Sequence, residues 1–142
     1  MYMILEDKEA LIIDPNVSED ALSILKKEKT SFVTILLTHK HYDHTSGVNW
    51  YRDKYESRLI CQRSCAETIA VARNNRPLLV VWVTADSDKT KGRKETKQFL
   101  SEYKPYSCFA DEIIDNELEY MWKGHILKFT LTPGHAPGSC CI

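Results

Sequence analysis

The strongest constraint in this sequence is a near-continuous apolar run of six residues, Phe32 to Leu37, that leads straight into Thr38-His39-Lys40-His41-Tyr42-Asp43-His44. The run has the length and composition of a β-strand buried on both faces. Three of the chain's five histidines then crowd its carboxyl end together with an aspartate. Burying so many polar rings is costly unless each finds a partner, so a metal is the economical explanation. Residues two apart in an extended segment point the same way, which lets His39 and His41 present two imidazoles to one ion. The turn that follows brings Asp43 and His44 to an adjacent point, so two ions can be served. Imidazole nitrogen and carboxylate oxygen suit zinc at about 2.0 to 2.2 Å, and iron or manganese accept the same donors. A second loop, Thr132 to Ser139, supplies His135. Its Pro133, Gly134, Pro137 and Gly138 fix a backbone that can approach a metal closely.

The elements around these loops read as alternating strand and helix. Tyr2 to Leu5 and Ala10 to Ile13 form a hairpin across a polar Glu6-Asp7-Lys8-Glu9 turn. Ser18 is the expected N-cap of a helix with Ala21, Leu22, Ile24 and Leu25 on one face and Lys26, Lys27 and Lys29 at its end. After the histidine segment, Thr45 or Ser46 is expected to cap a helix carrying Val48, Tyr51 and Tyr55 inward. Leu59 to Cys61 reads as a strand and Ser64 to Arg73 as a helix. Strands return at Ile113-Ile114, at Tyr120 to Trp122, and at Ile126 to Thr132, with a turn at Lys123-Gly124. The βαβαβα order implies an α/β sheet covered by helices. Between Asn74 and Ala110 the pattern weakens: Leu78 to Val83 fits a strand or a buried helical piece, and Lys89 to Lys97 is basic. Residues 74–110 are read as an insertion in a single domain spanning 1–142.

Composition excludes several classes. Of the 142 residues, 43% are hydrophobic and 27% charged, which fits an ordinary globular domain. A net charge of −1 gives no electrostatic reason to coat nucleic acid or an anionic membrane. Met1 to Ala10 carries four charges and lacks the apolar core of a secretory signal. No run approaches the roughly 20 apolar residues of a membrane span. Five cysteines at irregular spacing suit free thiols in a reducing cytoplasm better than a disulfide framework.

The Thr38-His39-x-His41-x-Asp43-His44 segment after a buried strand, the Pro133-Gly134-His135-x-Pro137-Gly138 loop and the Ile12-Ile13-Asp14-Pro15 strand end together resemble the metallo-β-lactamase superfamily, and within it the glyoxalase II-like hydrolases. The resemblance implies an αββα sandwich, here incomplete, with the N-terminal half and the start of the second. It implies that His39, His41 and His135 hold a first metal, that Asp43 and His44 hold part of a second, and that Asp43 orients the attacking water. Asp14 is a candidate to support the ligands from behind, or simply a turn residue before Pro15.

The same pattern includes a bridging aspartate and a last histidine from later strands, for which these residues offer no counterpart. His125, beside Gly124, reads as a solvated turn residue. The second metal site is therefore expected to be incomplete, as in a fragment or a naturally shortened relative. Such a form exposes an apolar sheet face that a symmetric homodimer would cover. The expected activity is metal-dependent hydrolysis of a small ester, thioester or lactone. The alternative is a catalytically incomplete metal-binding or dimerising module. A nuclease using Lys89, Lys91, Arg93, Lys94 and Lys97 ranks below both.

Overall fold

The computed structural model describes residues 1–75 and 103–142. The Leu78–Val83 and Lys89–Lys97 readings, and all but the ends of the expected insertion, lie outside the described residues. Strand β1 (Tyr2–Glu6) turns into β2 (Glu9–Ile13) through Asp7 and Lys8, both with positive φ (48° and 63°). Paired positive φ values are what a two-residue hairpin turn needs to match the right-handed twist of its strands. Helix α1 (Glu19–Lys27) starts as expected, with the Ser18 hydroxyl accepting from the Ala21 amide at 3.2 Å. Acidic residues fill its first turn and lysines its last, each complementing the helix dipole.

Strand β3 (Phe32–Leu36) is followed by two short helices, α2 (Tyr42–Thr45) and α3 (Val48–Arg52). This corrects the expected single helix: neither Thr45 nor Ser46 is an N-cap, His41 and Gly47 occupy the N-cap positions, and Tyr55 lies beyond α3. The break has a packing cause. The Gly47 amide donates to the Pro15 carbonyl at 3.0 Å, and a Cβ there would lie 2.7 Å from the Asn16 backbone. Strand β4 (Glu56–Gln62) runs into α4 (Arg63–Ile69), which stops earlier than the expected Arg73. Its last carbonyls are taken from outside the helix: Asn75 and the Cys108 amide both donate to Ile69, and Asn74 donates to Thr68. A short 3-10 turn, Ala72–Asn74, follows. The chain then forms β5 (Glu112–Ile114), β6 (Leu118–Trp122), β7 (His125–Leu131) and β8 (Cys140–Cys141).

Five strands make one sheet in the order β1-β2-β3-β4-β5, with β2 to β5 parallel, and β6-β7-β8 make a second, antiparallel one. Because β2 and β3 are covered on both faces, successive residues serve opposite cores. Ile12, Val33, Ile35 and Leu59 pack against Leu25 of α1, Val48 and Tyr51 of α3, and Cys65 and Ile69 of α4. Leu11, Leu36 and Ile60 face the other way, onto Trp122, Phe129 and Cys140 of the second sheet. Each fully buried Leu or Ile side chain contributes about 1.5–3 kcal/mol. The layers run helix, sheet, sheet, part of the expected sandwich. The outer face of the second sheet carries the directly paired Met121 and Ile126, 60% and 63% exposed, beside a Glu119–Lys128 pair. At the sheet end away from the histidines, Lys123 pairs with Glu9 at 2.6 Å and His125 with Glu6 at 2.9 Å. Thus His125 is exposed, as expected, and it opens β7 rather than sitting in the turn. Among the described residues no helix is long and apolar enough to cross a membrane.

Gly47→Ala forces a methyl group into fixed backbone, so it should lower unfolding stability by about 1–3 kcal/mol, read from urea denaturation. An unchanged midpoint would show that the Asn16 loop yields freely.

Candidate metal centre

In open α/β sheets ligands gather where the strands end at their carboxyl side, and here β2, β3 and β4 end together. Beyond β2 stands Asp14, buried and in the left-handed region at φ 52°. Aspartate is among the few residues that accept this conformation readily. Its Oδ1 accepts the Thr38 amide at 2.8 Å, and its Oδ2 accepts the Thr38 hydroxyl at 2.6 Å and His44 Nδ1 at 2.9 Å. Asp14 is thus a turn residue, and its carboxylate anchors the histidine loop.

These bonds assign the His39 tautomer. A carboxylate only accepts, so the Thr38 hydroxyl spends its single proton on Asp14, and its oxygen is left to accept from His39 Nδ1 at 3.1 Å. His39 therefore keeps its lone pair on Nε2. His44 lies between two carboxylates, with Nδ1 donating to Asp14 at 2.9 Å and Nε2 3.3 Å from an Asp43 oxygen. Sequence reasoning quoted Thr38 within the motif but gave it no role, because the relay depends on a partner 24 residues away.

His39 and His41 do not alternate along a strand as expected, since β3 ends at Leu36 and both lie in the loop after it. They converge nonetheless: His39 Nε2 and His41 Nδ1 are 3.1 Å apart. The His135 ring completes a near-equilateral triangle, with centroids 4.9 Å from His39 and 4.6 Å from His41, against 4.7 Å between those two. One donor atom from each of the three lies within 4.8 Å of the others. Nitrogens bound at 2.0–2.1 Å to a tetrahedral ion sit about 3.3 Å apart, so the set fits a divalent metal with modest closure. The His44 ring lies 3.9 Å from that of His39, tilted by 53°, and the Asp43 side chain is 60% exposed at the rim.

His135 arrives from the other sheet. The Cys140 amide donates to the Thr38 carbonyl at 2.9 Å, locking the start of β8 onto the histidine loop. Within the turn, Ser139 is buried and its hydroxyl accepts from the Ala136 amide. Gly138 has φ 74°, and a Cβ would strike the Gln62 side chain, which itself accepts from the Ser64 amide at the start of α4. Of the two glycines, Gly138 serves the close approach that the sequence suggests, while a Cβ at Gly134 would meet nothing within 4 Å.

Burial drives the His39 pKa from its ordinary 6.5 down to about 4, helped by the neighbouring His44 and His41. Burial and His135 also lower that of His41. Both rings are thus neutral at pH 7, the form that binds metals.

The family model for the metallo-β-lactamase superfamily matches residues 1–142. The chain belongs to the metallo-β-lactamase superfamily. Among curated relatives, it is 28% identical over 139 residues to the probable metallo-hydrolase YqgX of Bacillus subtilis, covering 97% of this chain and 56% of that protein. A hydroxyacylglutathione hydrolase of Buchnera aphidicola is 50% identical over 38 residues, which is 27% of this chain and 15% of that enzyme. Among solved structures, the BLEG-1 B3 metallo-β-lactamase superposes with a TM-score of 0.65 at 26% identity, covering 97% of this chain and 58% of that one. The FEZ-1 metallo-β-lactamase of Legionella gormanii gives 0.60 at 16% identity, over 98% and 48%. The chain spans about half the length of these end-to-end matches. The superfamily fold is therefore present in part, and it brings together every histidine expected at the site.

Two predictions follow from Asp14 and His39. Asp14→Asn tolerates the same backbone but offers one acceptor oxygen in place of two, so it should weaken zinc binding about 10- to 100-fold, the scale for residues behind metal ligands. Isothermal titration would show this, and undiminished affinity would remove Asp14 from the site. For His39, the unfolded chain binds more protons than the folded one between about pH 6.5 and 4. The metal-free protein should therefore lose stability as the pH falls through that window and gain nothing from this group above it. Urea midpoints that do not change between pH 7 and 4.5 would contradict the assignment.

Proposed function

We propose that this chain carries the metal-binding half of a zinc-dependent hydrolase acting on a small thioester, ester or lactone. The observation that carries the reading is the convergence of His39 Nε2, His41 Nδ1 and the His135 ring, with Asp43 and His44 alongside. In this reading His39, His41 and His135 hold one ion, and Asp43 and His44 contribute two donors to a second. A bound divalent ion supplies Lewis acidity and lowers the pKa of a water toward about 7.

The remaining steps fall to the chain itself. Asp14 and Thr38 keep the His39 lone pair turned inward, and Asp14 holds the His44 ring. In this reading Asp43, whose side chain is exposed at the rim, accepts a hydrogen bond from the attacking water and holds its proton. His135 and His41 line the open side where a carbonyl can enter, while the buried His39 closes the floor. A thioester is favoured among the substrates because several curated relatives are hydroxyacylglutathione hydrolases, and an acyl-glutathione is a thioester. A reducing cytoplasm belongs to the same reading, supported by five free cysteines, four of them buried.

A second reading, a metal-binding module without turnover, is favoured by one observation: among the described residues, Asp43 and His44 are the only donors read for the second position. Zinc titration with parallel assays of thioester, ester and lactone hydrolysis separates the two. His39→Ala and His135→Ala should each reduce zinc affinity by more than about 100-fold, beyond the loss typical of supporting residues. Binding that ignores both variants would sink the metal site. Tight binding at one equivalent with no hydrolysis of any of the three substrates would establish the module.

A further inference from the structure

Helix α2 carries Asp43 and His44 yet is a single turn of four residues. One turn cannot sustain itself, because nucleation costs more than its few hydrogen bonds return. Its own backbone offers His44 N–H to His41 O and Ser46 N–H to Tyr42 O, both at 2.9 Å. Side chains must therefore hold it from outside. On one side His44 is bonded to Asp14. On the other, the fully buried Thr45 shares a 2.9 Å hydrogen bond with the Tyr106 hydroxyl, and the Tyr42 ring lies 6.2 Å from that of Tyr106.

Tyr106 is itself held in place. Its carbonyl accepts from Asn75 at 2.6 Å, and the Ser107 carbonyl accepts from Asn49 at 2.9 Å. The Cys108 amide donates to Ile69, and the Phe109 carbonyl accepts from Arg52 at 2.7 Å. Residues 106–109 thus form a strap tied to α3, to the end of α4 and to Asn75. Burial pushes the Tyr106 phenol pKa upward, so the hydroxyl stays protonated across the working range.

We propose that Tyr106 is a positioning residue, which holds α2 through Thr45 so that Asp43 and His44 keep their donors aimed at the histidine cluster. This rests on the reading of Asp43 and His44 as donors. The test measures amide exchange at His44 and Ser46 in the metal-free protein, together with zinc titration. Tyr106→Phe keeps the ring and removes only the hydroxyl, Thr45→Val removes its partner, and Thr45→Ser retains it. Exchange at His44 and Ser46 should quicken about fivefold in Tyr106→Phe and in Thr45→Val, the scale of one net hydrogen bond. The double variant should add nothing, and Thr45→Ser should match the unaltered protein. The first zinc equivalent should bind unchanged, while the second weakens by a similar factor. Unaltered exchange in α2, or an equal rise at Ile35 in β3, would overturn the proposal, since the hydroxyl would then serve nothing local or the whole fold. If the unaltered protein binds no second equivalent, the donor reading of Asp43 and His44 fails, and with it the purpose assigned to Tyr106, even where the exchange pattern holds.

Discussion

The Asp14 carboxylate is the interaction on which the site depends. It accepts three hydrogen bonds at the end of β2 and, through the Thr38 hydroxyl, also decides which nitrogen His39 presents. Buried carboxylates are costly unless fully bonded, and this one is bonded on both oxygens. Its left-handed backbone turns the chain sharply after the strand, so the group points across to β3 instead of continuing along β2. The strain of that conformation is small for an aspartate and is offset by the bonds it permits.

Thr38 is the second half of this junction. Its amide and hydroxyl face Asp14, while its carbonyl accepts the Cys140 amide from the other sheet. One residue therefore ties both sheets to the carboxylate, and the His135 loop closes over the histidine segment because β8 is docked there. The apolar contacts of Leu11, Leu36 and Ile60 with Trp122 and Phe129 supply most of the attraction between the sheets. They are non-directional, however, and the Cys140–Thr38 bond fixes the register that brings His135 within reach of His39 and His41.

Below about pH 6.5 the buried His39 works against the stability of the metal-free chain. Four imidazoles crowd one strand end, and the most buried of them resists protonation strongly. Such arrangements persist where the surrounding structure over-determines them, and they concentrate at functional sites. Here the surroundings are Asp14 beneath, Gly138 pressed onto Gln62 at one flank, and the 106–109 strap at the other.

Much of this was legible in the sequence for local reasons. The apolar run ending at Leu37, the Ser18 cap, the β7 alternation and the glycine and proline spacing around His135 are all properties of residues near one another along the chain. They determined the α/β class, the strand that leads into the histidine loop and the identity of the clustered histidines. The split between α2 and α3 was not legible, because it follows from Gly47 meeting the backbone of Asn16, a contact no periodicity reports. The same holds for Thr38 as a relay, Tyr106 against Thr45 across 61 residues, and Cys140 against Thr38. Local sequence decides which groups are available and in what backbone state. Only the packed sheets decide which distant donor meets which acceptor, because a hydrogen bond falls off within a fraction of an ångström and its partners are set by strand register.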